Sequence, residues 1–349
     1  MGDFKFAREK MADVLSGLGE YQVLAPLMTG GVVRFREVEE SDVPVGERGR
    51  YDNTVVPPKE LMFPETETLF RYQLGGTDIN VSEPEGDTGR VVIGIRPCDA
   101  QAFAIVDRVF GWDYPDPYYQ KRRENTTLVG LACDEPCSNC FCPSVGGGPA
   151  SEEYLDAIMY NLDDTFYLKT ITKKGEELAR VLSGVLQEAG DAEKKAAEKQ
   201  AEEATSRIVR SIDTDGIPEK LPSLYGHPFW EQFSDRCLGC GICTYLCPTC
   251  HCFDIQDEVE HFDGRRARMW DTCMFKEYSL HASGHNPRPT RKERTRNRIS
   301  HKYSYFPLNF DVIACVGCGR CINYCPVNID ILDVLEKSRE AEVKEEKPA

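Results

Sequence analysis

"CLGCGICTYLCP" (237–248) places four cysteines in eleven residues and closes on a proline, and "CVGCGRCINYCP" (315–326) repeats the arrangement. Both runs have the form C-x2-C-x2-C-x3-C-P. Three cysteines at this spacing curl around one small inorganic cluster, while the fourth reaches the cluster of the other run. The proline ends the turn and fixes the exit of the chain. On this reading Cys237, Cys240, Cys243 and Cys325 hold one [4Fe–4S] cluster, and Cys315, Cys318, Cys321 and Cys247 hold a second. Gly239, Gly241, Gly317 and Gly319 fall between ligands, where the backbone must approach cluster sulfur closely. Structural zinc takes cysteines in separated pairs, so a triplet plus a prolyl cysteine, seen twice, favours iron–sulfur.

Between the two runs lie Cys250 and Cys252 in "CHCFD" and Cys273 in "WDTCMF". Buried cysteines supporting the clusters are the ordinary reading; a further metal site with His251, His281 or His285 is the alternative. The stretch "RPTRKERTRNRISHK" (288–302) carries seven Arg or Lys against one Glu. It reads as a positive patch that offsets cluster charge or docks an acidic partner, with a plain solvated face as the rival.

In the first half, "RVVIGI" (90–95) and "TTLVGLA" (126–132) read as buried strands with a helix over 99–110 between them, a small α/β unit. Cys98 follows the first strand in "IRPCDAQ". Cys133, Cys137, Cys140 and Cys142 follow the second in "LACDEPCSNCFCPSVGGGP". In a parallel sheet both groups emerge at one carboxyl edge, where sites form. Spacing alone leaves open a third cluster, zinc, a dithiol–disulfide pair or inert thiols. Asp99, Asp134 and Glu135 read as structural or tuning groups, not catalysts.

The remaining elements are weaker signals. Phe4, Ala7, Met11, Val14, Leu15 and Leu18 fit an amphipathic helix over 4–18. "YQVLAPL" and "GGVVRFREV" read as strands joined at Gly30–Gly31, and 45–66 as a long surface loop around Pro57–Pro58. Leu178, Val181, Leu182, Val185 and Leu186 mark another amphipathic helix, and 191–207 a solvated helix with a thin alanine stripe. The expected fold is α+β. An N-terminal α/β domain with its own cysteine set (1–190) leads through a charged helical linker (191–228) to a mainly helical two-cluster ferredoxin-type domain (229–337). A disordered tail (338–349) follows.

Composition fits this picture. The 349 residues, 41% hydrophobic, suffice for about two cored domains. The start is polar, and no run approaches the roughly 18 apolar residues of a membrane span, so a cytoplasmic chain without membrane insertion is expected. A net charge of −16 argues against nucleic acid as a partner. No G-x-G-x-x-G follows a strand, and neither a Walker P-loop nor an H-E-x-x-H helix is present, so nicotinamide, flavin and ATP are left to other chains.

Together, "NTVVPPKELMFPETETLFRY" (53–72), "IRPCDA", "CFCPSVGGGP", "CPTCHCFD", "RMWDTC" and "CVGCGRCINYCP" resemble a known family. It is the 4Fe–4S dicluster family that contains the beta subunit of soluble sulfhydrogenases and the A-type subunit of anaerobic sulfite reductase. The resemblance runs from about residue 20 to 335; the 191–207 helix falls outside its motifs and reads as a local insertion. It implies a non-catalytic electron-transfer subunit. Such a subunit stands between a reductase partner that binds flavin and NAD(P) and a catalytic partner of hydrogenase, sulfite reductase or heterodisulfide reductase type. The resemblance supports the eight ferredoxin-type ligands. It also singles out Cys98, Cys133, Cys140 and Cys142 as holders of a third [4Fe–4S] cluster, with Cys137 dispensable. The rival class is an iron–sulfur sensor, which generally pairs one labile cluster with an effector module.

Overall fold

Alternating apolar residues in the first half build a sheet that is covered on both faces. The computed structural model describes residues 2–39, 53–75, 78–84 and 88–342. Its strands are β1 (Asp3–Ala7), β2 (Gln22–Thr29), β3 (Val32–Glu37), β4 (Thr66–Gly75), β5 (Asp78–Ser82) and β6 (Arg90–Ile95). They continue as β7 (Thr126–Leu131), β8 (Ala157–Leu162), β9 (Thr165–Thr170), β10 (Gln187–Glu188), β11 (Phe253–Glu260) and β12 (Asp263–Trp270). The helices of the first half are α1 (Met11–Ser16), α2 (Pro97–Phe110), α3 (Pro117–Glu124), α4 (Lys173–Val181) and α5 (Asp191–Ser206). Those of the second are α6 (Ile217–Ser223), α7 (Glu231–Ser234), α8 (Ile242–Tyr245), α9 (Arg291–Ser300), α10 (Phe306–Phe310), α11 (Arg320–Asn323) and α12 (Ile331–Glu340).

The larger sheet has the order β10-β1-β9-β8-β7-β6-β2-β3. Strands β2, β6, β7 and β8 run parallel, and the flanking pairs are antiparallel. Its central strands are buried on both faces, as parallel strands are. Val92, Leu128 and Ile158 face a core with Phe103, Tyr119 and Ala197. Val91, Val129 and Met159 face a second core with Met11, Val14 and Leu178. Because β6 and β7 are parallel neighbours, Cys98 in the first turn of α2 and Cys133 just past β7 leave the sheet at one edge.

Two expectations are corrected here. Residues 4–18 are not one helix: β1 pairs with β9, a short 3-10 turn follows, and α1 begins at Met11. Phe4 and Phe6 obey a strand's period of two as well as a helix's, and Phe6 stacks on Phe166 at 5.2 Å. The 45–66 stretch is no surface loop where it is described. It turns through a 3-10 helix at Pro58–Leu61, and Lys59, Met62 and Phe63 are buried; residues 45–52 lie outside the described residues.

The smaller sheet, β11-β12-β4-β5, joins strands from both halves. A mainly helical 229–337 left out this β11–β12 hairpin. All of β11 is exposed, so no buried apolar face announces it in the sequence. Helix α5 is not solvated all round either: its alanine stripe packs inward, with Ala197 and Ala204 buried. At the C-terminus α12 continues through Glu340, so residues 338–340 are helical, and 343–349 lie outside the described residues. A third core joins Trp230, Phe233, Ile299, Tyr303 and Val334 to Phe141 and Val145 of the first half. A fourth sets Ala102 and Ile105 of α2 against Phe306, Ala314 and Val316. The second half is thus packed directly onto the edge of the sheet that carries Cys98 and Cys133.

Candidate metal centres

Cys237, Cys240, Cys243 and Cys325 line one cavity, with Met274, Thr295 and Arg298 in its wall. Gly239 and Gly241 adopt positive φ, which lets the loop turn inside the cysteine triplet. The Gly239 N–H points at Cys237 Sγ (3.4 Å) and the Ile329 N–H at Cys325 Sγ (3.2 Å), the pattern that stabilises thiolate. Arg291 Nη1 and Arg298 Nη2 donate to the carbonyls of Cys237 (2.7 Å) and Cys243 (3.1 Å), clamping the loop. Thr295 Oγ1 and Arg298 Nε are buried in this wall without a hydrogen-bond partner among the described residues. Four thiols around a void with unsatisfied donors fit an anionic sulfide-bearing cluster.

Of the second set, Cys321 lines the first cavity too. The continuous helix α9–α10 passes through one π-helical turn, His301–Tyr305. This turn carries Lys302, whose Nζ reaches Cys247 Sγ at 3.1 Å, Thr249 Oγ1 at 2.9 Å and the Ala314 carbonyl at 3.0 Å. A hydrogen bond from the Cys250 thiol, with the Lys302 charge behind it, holds Cys247 well below the usual thiol range. Burial opposes the charged form of Lys302, but the sulfurs of Cys247 and Cys250 outweigh it and hold its pKa above the ordinary lysine value. The basic stretch is therefore turned partly inward, with Arg291 left exposed. Arg294, Arg296, Arg298 and Lys302 are buried; Arg298 and Lys302 reach the cysteine loops, whereas Arg294 donates to the Arg288 and Pro289 carbonyls and Arg296 to the Tyr225 carbonyl.

Cys98, Cys133, Cys137, Cys140 and Cys142 line a third cavity, together with Asn53 and Cys318 of the second set. Cys137 Sγ and Cys140 Sγ are 2.7 Å apart, so they occupy one corner of it. Burial pushes the Cys142 thiol up to about 12. The Phe141 N–H donates to the Gly317 carbonyl at 2.8 Å. A Cβ on Gly317 would stand 2.5 Å from Cys142 N, and one on Gly319 2.8 Å from the Asn139 carbonyl. These glycines make room for the 139–142 loop, and the Gly317 N–H donates to the Cys315 sulfur. Beside them Asp99 and Arg320, each about 1% exposed, form a bidentate pair of 2.6 and 2.8 Å. Arg320 also donates to the Thr54 carbonyl at 2.8 Å. Asp99 is thus a structural tie; Asp134 and Glu135 sit beside Arg207 at the margin.

Cys250, Cys252 and Cys273 line a fourth cavity with His251, Arg298, His301 and Lys302. A hydrogen bond from Cys273, with Tyr278 adding another, brings Cys252 down to about 6. Burial lowers Lys59 to about 8, His251 to about 4 and His301 to about 3. His281 and His285 do not line this cavity; they meet each other edge-on at 5.4 Å.

Sequence reasoning missed Lys59 and the Asp99–Arg320 pair, and held Arg298 and Lys302 only as undistinguished members of the 288–302 stretch. A signal existed for these last two: Arg291, Thr295, Arg298 and Lys302 recur at helical spacing and share one face.

Residues 236–329 match a family model described as a 4Fe-4S dicluster domain. The chain is 32% identical over 321 residues to the sulfhydrogenase 2 subunit beta of Pyrococcus furiosus, covering 91% of this chain and 92% of that protein. No solved structure matches. Among the described residues no helix is long and apolar enough to cross a membrane. Similarity along nearly the full length of both chains, over a core that gathers Cys237, Cys240, Cys243 and Cys325 around one cavity, places this protein in the sulfhydrogenase beta-subunit family of iron–sulfur electron-transfer subunits.

Proposed function

We propose that the chain relays single electrons through three [4Fe–4S] clusters, from or to a partner that binds flavin and NAD(P) on one side and a catalytic redox partner on the other. The relative that matches over nearly its full length is a sulfhydrogenase subunit, which favours a hydrogenase-type catalytic partner. The ligand sets are Cys237, Cys240, Cys243 and Cys325; Cys315, Cys318, Cys321 and Cys247; and Cys98, Cys133, Cys140 and Cys142. Each cluster supplies one-electron redox chemistry when bound.

One observation carries the reading: the three sites share walls. Cys321 of the middle set lines the first cavity, and Cys318 of the same set lines the N-terminal one. The order is therefore linear, with the Cys315 set in the centre. The surrounding residues bury the thiols and present Arg298 and Lys302 to them, which favours added negative charge. At one end Cys240 is exposed, giving a partner a short approach.

Iron analysis and EPR of the reduced, anaerobically reconstituted protein test this. Neighbouring paramagnetic clusters broaden each other's signals. Cys133→Ser is expected to lose about four iron and to simplify the coupled spectrum. Unchanged iron and an unchanged spectrum would remove the N-terminal cluster from the relay.

A further inference from the structure

Outside the three relay sites, the fourth cysteine cavity has the chemistry of a metal centre. We propose that Cys250, Cys252 and Cys273, with His301 as fourth ligand, hold an additional iron–sulfur cluster beside the middle site.

Three observations converge on it. The first is the donor set. Cys250 and Cys252 enter from the loop after Cys247, Cys273 from the end of β12, and His301 from the π-helical turn, so three separate segments meet at one void. That void is small, about 10 Å³, as is the N-terminal one at about 20 Å³. The second is the imidazole. His301 makes ring contacts with His251 at 5.5 Å and Phe306 at 6.2 Å, and no hydrogen bond among the described residues. Its nitrogens are free to ligate.

The third is charge. Lys59, Arg298 and Lys302 are buried around the cavity, and none pairs with a carboxylate among the described residues. Lys59 Nζ donates to the Cys250 carbonyl at 2.9 Å and lies 4.0 Å from the centre of the Trp270 ring. Three cations held in a low-dielectric interior require anionic partners. The middle cluster with its four thiolates supplies part of that charge, and three further thiolates on a sulfide-bearing centre supply the rest. Cys250 contacts Cys247, which places the extra centre against the middle of the relay as a side branch.

The test uses the full chain, reconstituted anaerobically and assayed for iron, sulfide and zinc. Four cubanes correspond to about sixteen iron per chain. The double variant Cys252→Ser/Cys273→Ser is expected to lose about four iron, a loss additive with that of Cys133→Ser. Full iron in a folded double variant, or zinc in place of iron at this site, overturns the proposal. If the double variant fails to accumulate, His301→Cys decides: it should keep its iron and lose the nitrogen coupling seen by electron–nuclear double resonance in the native protein. Absence of that coupling from the native protein overturns the site. Loss at Cys133 without loss at Cys252/Cys273 contradicts this centre and leaves the relay standing; the reverse removes the relay's N-terminal cluster and leaves this one.

Discussion

Lys302 is the residue on which the electrostatics of the middle site turns. Its ammonium lies 3.1 Å from Cys247 Sγ and is fully buried, so its field reaches the site without water between them. Reduction adds negative charge, which a neighbouring cation stabilises. Replacing it by methionine should lower the potential of one cluster by on the order of 100 mV, a charge–charge term of about 2–3 kcal/mol at an effective dielectric near 20. Lys302→Arg should recover most of that shift. A potential-controlled EPR titration reads both, and an unmoved midpoint in Lys302→Met would contradict the assignment. The Asp99–Arg320 pair makes a second residue-scale case. Asp99→Ala leaves a buried guanidinium without its carboxylate and should cost about 3–5 kcal/mol in denaturant unfolding. At this scale the sequence displayed the thiols and hid their partners. A cysteine spacing is a local pattern, whereas Arg320 meets Asp99 only after the chain has folded across more than two hundred residues.

Among the elements, the tight loops of the second cysteine run do more than hold ligands. Gly317 has φ +64 and Gly319 φ +74, and backbone of the 139–142 loop packs against both. Gly317→Ala adds a methyl where Cys142 N stands 2.5 Å away, and neither segment can yield cheaply. This variant should lose iron from the middle and N-terminal sites together, roughly eight atoms at four per cubane. Gly30→Ala is the control: φ is +58, but among the described residues nothing lies within 4 Å. It should keep its iron and lose only about 1 kcal/mol of stability to backbone strain. Iron analysis of the two variants side by side checks this. Elements with a single strong periodicity were legible from sequence, as in "RVVIGI", the hairpin at Gly30–Gly31 and the helix after Pro97. Those with competing signals were not. β1 carries a helical and a strand pattern at once, and β11 has no buried face to betray it. The basic helix was legible as a source of charge for the cysteine loops, but which of its residues turn inward was not: Arg298 and Lys302 line thiol-bearing cavities, while Arg291 is exposed.

For the whole molecule, the mixed α+β character was legible, and the interleaving of its halves was not. β4 and β12 pair across nearly two hundred residues, and α2 packs on the segment that leads into Cys315. That interleaving is what brings the N-terminal cysteines to Cys318, so the proposed relay would belong to the molecule and not to either half. A relay of this kind takes one electron at a time, whereas a nicotinamide gives up a hydride. A flavin normally stands between the two, and this chain shows no dinucleotide fingerprint. The most direct measurement is anaerobic visible absorbance of the flavin-free, fully reconstituted protein with NADH or NADPH as sole reductant. The account predicts no bleaching until the cognate flavoprotein is added, then rapid bleaching, with dithionite bleaching the protein in either case. Rapid bleaching by nicotinamide with this chain alone would contradict the relay reading and require a hydride-accepting site within the chain itself.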